Sequence, residues 1–146
     1  DGGKTAPRPA CSVRELADVL NRPPWAAPSR TILASADFGS ELLYRTGHRV
    51  IAALYHRNDW GVLDSAKILG GADENEVLAL VGERAVDLIV LCPGSSPDRY
   101  FLQGAGADAL YRRLERGDGP GWTGEVKLPG GAGQGFRLFA VVAPPG

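Results

Sequence analysis

Two hydrophobic periods follow one another along this chain, and the points where one gives way to the other mark its elements. Val13, Leu16, Ala17 and Leu20 recur at helical spacing, and Ser12 with Glu15 three residues on has the form of a capping box. TILASADF is a continuous apolar run that predicts a buried strand ending at Asp37. Gly39-Ser40 then opens a short helix, SELLYRT, closed by Gly47. RVIAALY predicts a second buried strand. VLDSAKIL predicts a helix stopped by Gly70-Gly71, and Asp73 caps a further amphipathic helix, ENEVLALVGERA, with Val77, Leu80 and Val81 inward. VDLIVLCP is the third strand, GSSPDRYFLQGAGA reads as loop, and Asp108 leads into the helix ALYRRLERG. WTGEVKL and FRLFAVV alternate as a β-hairpin about PGGAGQG.

The order α-β-α-β-α-α-β-α-β-β implies an α/β fold: a mixed, largely parallel sheet flanked by helices, with a C-terminal β-hairpin. Residues 1–10, rich in Pro and Gly, read as a linker or frayed end, and residues 11–146 as a single domain. Between the two ends, RPPWAAPSR is a connecting loop in which Trp25 serves as anchor.

Composition narrows the function. The chain is 44% apolar and 23% charged, as in ordinary globular proteins, and its net charge of −1 gives no reason to expect nucleic acid as a partner. It has no methionine and opens Asp-Gly-Gly-Lys, which suggests a piece of a longer or processed chain. No run approaches the roughly 20 apolar residues of a membrane span. Cys11 and Cys92 admit two readings, buried free thiols in a reducing compartment or a disulfide in an oxidising one.

Familiar catalytic signatures do not fit. GGAGQG at 130–135 has a strand after it and no Lys-Ser/Thr pair, so it reads as a hairpin loop and not a phosphate loop. His48 and His56 lie at opposite ends of one strand and, with two distant cysteines, do not make a zinc set; no cofactor is implied. Ser35 and Ser40 flank Asp37 without an evident base. The remaining chemistry is concentrated where parallel strands end. Asp37 follows the first strand and His56, Arg57 and Asn58 follow the second, so parallel neighbours would bring them to one rim, where α/β sheets bind ligands. The alternative is structural: Asp37 caps its helix and Arg57 pairs with Asp37 or Asp59. Asp64, just inside the next helix, is a further candidate that also suits the positive end of a helix dipole.

The string TILASADFGSELLYRTGHRVIAALYHRNDWGVLDSAKIL…VDLIVLCP resembles the soluble C-terminal region of bacterial polytopic membrane proteins related to the GT-C class of glycosyltransferases. The likeness runs from about Cys11 to Val142 and takes in both cysteines, Tyr55-His56-Arg57-Asn58 and the Gly117…Pro120-Gly121-Trp122 turn. The layout is also distantly similar to the oligosaccharyltransferase catalytic subunit, whose soluble domain carries a Trp-Trp-Asp-Tyr-Gly motif that recognises the acceptor peptide. Ser35-Ala36-Asp37-Phe38-Gly39 takes that motif's place, with Asp37 and Gly39 matching, Phe38 in the tyrosine position and both tryptophans absent.

The resemblance implies a domain on the periplasmic side of the bacterial inner membrane, joined to a membrane-embedded remainder of the same polypeptide. It also implies a Cys11–Cys92 disulfide, and a lipid-linked sugar or a glycan acceptor as ligand. The domain would not be catalytic alone but would support the site through Asp37, His56, Arg57, Asn58 and, further out, Asp64. The competing readings are a stand-alone sugar- or nucleotide-binding domain, which a soluble full-length product with no transmembrane helices would favour, and a protein-interaction module, which predicts an exposed apolar patch instead of a polar cleft at the same rim.

Overall fold

The structure is a computed structural model that describes residues 11–54, 59–129 and 133–142. Its elements, in chain order, are α1 (Val13–Leu20), β1 (Thr31–Leu33), α2 (Ala36–Arg45), β2 (Arg49–Val50), α3 (Asp59–Leu69), α4 (Glu74–Glu83), β3 (Leu88–Leu91), α5 (Ser96–Arg99) with a 3-10 turn at Tyr100–Leu102, α6 (Leu110–Glu115), β4 (Thr123–Val126) and β5 (Arg137–Val141). The strands form one sheet in the order β2-β1-β3-β5-β4. β1 pairs in parallel with both β2 and β3, whereas β5 runs antiparallel to β3 and to β4. The α/β class is as the pattern implies, with a parallel half and an antiparallel half that the C-terminal hairpin supplies.

Alternation along the strands divides the core between the two faces. Ile32, Ala34, Leu88, Val90, Cys92 and Leu138 face α1 and α2, where Leu16, Leu20 and Leu42 complete one cluster. Leu33, Ile89, Leu91 and Phe139 face α3, α4 and α6, where Ile68, Val77, Val81 and Tyr111 complete the other. β1 and β3 are therefore covered on both faces, which is why their sequences read as unbroken apolar runs.

Local chemistry sets the boundaries, and several differ from the expected ones. The strand expected over TILASADF stops at Leu33, because Ser35 turns the chain and caps α2, its Oγ accepting the Phe38 N–H at 3.5 Å. Asp37 accordingly lies in the first turn of α2 and not at a strand end. That helix ends at Thr46, whose N–H and hydroxyl both bond to the Leu42 carbonyl. Gly47 is not left-handed and does not cap it. The second strand shrinks to two residues, although the Ile51 N–H still bonds to the Ile32 carbonyl. GSSPDRYFLQ is not loop throughout: it holds α5 and the 3-10 turn. α6 starts at Leu110 without a side-chain cap, so Asp108 does not initiate it.

The capping box at Ser12 is half formed. Ser12 Oγ accepts the Glu15 N–H at 3.2 Å, but the Glu15 carboxylate turns to Gly133 N–H and the Gln134 amide. Ser12 N–H instead donates to the Gly133 carbonyl, so the last described part of the hairpin loop is tied to the start of α1. His48 is structural as well. It is buried, its Nδ1 accepts from the Arg30 N–H at 3.0 Å, and its Nε2 donates to the Leu20 carbonyl at 2.9 Å, the neutral Nε2–H form. Trp25 anchors its loop as expected, with Arg30 over its ring and bonded to its carbonyl.

Candidate functional site

Chain order 1-3 on one side of β1 and 1-2 on the other makes β1/β3 the point at which successive connections leave in opposite directions. Open α/β sheets bind ligands outside the carboxyl ends of such strands. Here those ends lead into the Ser35 turn and α2 after β1, and into Cys92 to Ser95 and α5 after β3. Gly39 lets α2 sit close to the chain beyond β2, since a Cβ there would lie 1.9 Å from the Ala52 carbonyl oxygen. Ser40 Oγ accepts the Leu54 N–H and holds that segment from the other side.

Two cavities open on this rim. The first, about 250 Å³, is bounded by Ser35 and Asp37 of the α2 turn, Ala52 beyond β2, Val62 and Ser65 of α3, and Tyr100. Asp37 is exposed, and among the described residues no side chain pairs with it. Ser65 is not a nucleophile in waiting: it is buried and its hydroxyl donates to the Gly61 carbonyl at 2.8 Å, within its own helix. The second cavity, about 320 Å³, adjoins the first at Pro97 and is lined by Phe38, Arg99 and the Cys11–Cys92 disulfide, among others. That disulfide has an S–S distance of 2.06 Å and joins the chain ahead of α1 to the end of β3.

The wall between β3 and α6 rests on a carboxylate that is not among the residues expected at the site. Asp98 is 1% exposed, and its Oδ2 accepts from Cys92 N–H at 2.6 Å and from the Tyr111 hydroxyl. Burial raises its pKa to about 6 against the opposing pull of those two hydrogen bonds, with Glu115 adding a smaller upward push. Burial, and then Asp98 itself, drives the Tyr111 phenol far above its ordinary range. Asp98 Oδ1 has no hydrogen-bond partner among the described residues. The signal was legible: Ser95-Ser96-Pro97-Asp98 has a capping residue, a proline near the helix start and an acid three residues after the cap. Ser95 Oγ does accept the Asp98 N–H at 3.2 Å.

Of the residues expected on the rim, the structure places Asp37 there, at the mouth of the smaller cavity. His56, Arg57 and Asn58 lie outside the described residues. Asp64 forms an ion pair: its Oδ2 is 2.8 Å from both Nε and Nη2 of Arg84, tying α3 to α4. Among the described residues no group of three or more His, Cys, Asp or Glu could hold a metal ion, and no helix is long and apolar enough to cross a membrane.

No protein-family model matches this chain, and no curated protein matches its sequence. Solved structures do. The C-terminal globular domain of an oligosaccharyltransferase from Archaeoglobus fulgidus superimposes with a TM-score of 0.66 at 18% identity, covering 88% of this chain and 95% of that one. A second C-terminal globular domain of oligosaccharyltransferase from the same organism gives a TM-score of 0.54 at 19% identity, covering 90% and 91%. At these identities the likeness is one of fold.

Proposed function

We propose that this chain is the soluble, non-catalytic domain of a glycosyltransferase-type membrane protein, and that its strand-end rim helps to hold the acceptor or the glycan. The observation that carries this reading is the fold likeness, which spans nearly the whole of both chains. The disulfide supports it, because such bonds persist in oxidising compartments, in keeping with a domain on the extracytoplasmic face. In the finer form of the proposal, the parent belongs to the GT-C class, uses a lipid-linked sugar and sits in a bacterial inner membrane with this domain in the periplasm. The membrane-embedded remainder of the same polypeptide is then its partner and supplies the chemistry. Asp37 contributes a carboxylate to ligand hydroxyl or amide groups, with His56, Arg57 and Asn58 completing the grip and Asp64 at its margin.

The test uses the full-length protein in a glycosyl-transfer assay. Asp37→Ala and Arg57→Ala are expected to raise the acceptor KM by roughly tenfold each with a smaller change in kcat, as loss of a hydrogen bond to a charged group predicts. Normally folded variants with unchanged kinetics would remove the rim from the proposal.

One observation favours a second reading, that of a partner-docking module. Trp60 and Leu63, one helical turn apart on α3, are exposed, as are Leu54 and Tyr100, the last of which lines the smaller cavity. On that reading Trp60→Ser and Leu63→Ser, and not Asp37→Ala, would impair the full-length protein.

A further inference from the structure

The cavity against the disulfide is one-sided in its chemistry. Among the described residues its polar side chains are Ser95, Ser96 and Arg99, and none of those that line it is a carboxylate. Arg99 is exposed, and among the described residues nothing pairs with its guanidinium. Ser96 is exposed too. Ser95 Oγ accepts the Asp98 N–H, which leaves its own proton to donate. Two acids of the neighbouring elements do not neutralise the site. Asp98 is buried and turned inward to Cys92 N–H and Tyr111, while Asp37 opens into the neighbouring cavity beyond Pro97.

A guanidinium and two hydroxyls lining one cavity are a donor set for an oxyanion. A phosphate offers three terminal oxygens, one for each of these side chains, where a carboxylate offers two. At about 320 Å³ the space is far larger than a bare ion needs, so the anion would be one end of a larger molecule. The apolar part of such a molecule has a surface ready for it in Phe38, whose ring is held edge-on against Phe136 at 5.0 Å, and in the disulfide.

We infer that this cavity binds a phosphate group, with Arg99 as its charge partner and Ser95 and Ser96 as hydrogen-bond donors. The inference goes beyond the proposed function: the rim could fail to serve any acceptor while this cavity still binds phosphate. The phosphate could belong to a lipid headgroup or to a soluble phosphate ester.

Amide chemical shifts followed during titration with inorganic phosphate, at constant ionic strength, test the site. Saturable shifts are expected at Gly94 to Arg99 and at Phe38. Arg99→Gln is expected to weaken binding about tenfold or more, and Ser96→Ala by less. Both residues are exposed, so the spectra of the variants away from the cavity should match the wild type. Co-sedimentation with phosphatidylcholine vesicles, with and without phosphatidic acid, separates the two sources. Sedimentation that needs both phosphatidic acid and Arg99 assigns a headgroup. Phosphate binding without vesicle binding assigns a soluble ester. Shifts that do not saturate, or saturable shifts that survive Arg99→Gln, overturn the inference.

Discussion

Gly39 and Asp98 show how single residues shape the rim. At Gly39 the constraint is space, because an added methyl would collide with the backbone carbonyl of Ala52 and not with a side chain that could swing aside. Gly39→Ala is expected to destabilise by about 1–3 kcal/mol, as overpacking does, with a lower urea midpoint and an unchanged m-value as the measurement. At Asp98 the constraint is charge. Its pKa is about 6 in the fold against an ordinary 3.8, so between those values the folded protein holds a proton that the unfolded chain releases. The stability from this group is present in full below pH 3.8 and is lost as pH rises through about 6, a change of about 3 kcal/mol. Asp98→Asn is expected to remove that slope, which urea midpoints at about pH 4 and about pH 7 would show. Asp37 was visible in the sequence because acids near strand ends are conspicuous. For Asp98 the cap and proline ahead of it were visible but its burial was not, because a carboxylate in SSPDR looks solvated until Tyr111 and Cys92 are brought to it from other elements.

Elements were legible wherever their own residues define them. Ser12 and Asp73 start helices where the pattern places them, since an N-cap needs only a side-chain oxygen and amides two or three residues on. β1 and β2 are shorter than their apolar runs, because such a run does not say where pairing stops. Ser35 and the packing of Gly39 on Ala52 decide that. The Asp64–Arg84 pair is likewise an element-scale feature, joining α3 to α4 from positions 20 residues apart. With Asp64 15% and Arg84 33% exposed, a double-mutant cycle with Asp64→Ala and Arg84→Ala is expected to give a coupling of about 0.5–1 kcal/mol. A coupling near zero would mean that the pair does not hold α3 to α4.

At the scale of the molecule, the disulfide closes a span of 81 residues that includes β1, β2, β3 and the first four helices. Chain entropy assigns such a loop roughly 4–5 kcal/mol, and measured losses on removing native disulfides from small domains run about 2–5 kcal/mol. Cys11→Ala with Cys92→Ala is expected to lose stability in that range, and the oxidised wild type to match the double variant once reductant is added. Equal urea midpoints with and without reductant would mean that the bond does not carry this load. The same crosslink forms a wall of the larger rim cavity, so reduction should also alter the amide shifts at Phe38 and Arg99.

Taken alone, the sequence determined the α/β class and the number and order of most elements. These follow from period, caps and turn residues, which act over a few positions. It determined the two cysteines but not their union, the apolar strands but not that β5, rather than β4, would dock on β3. Only the tertiary structure decided that Asp64 serves Arg84, that His48 is spent on Arg30 and Leu20, and that Asp98 is buried. It also set Asp37 and Arg99 in adjoining cavities with opposite charge. Each of these depends on which distant backbone and side-chain groups are brought together, and a one-dimensional pattern carries no record of that.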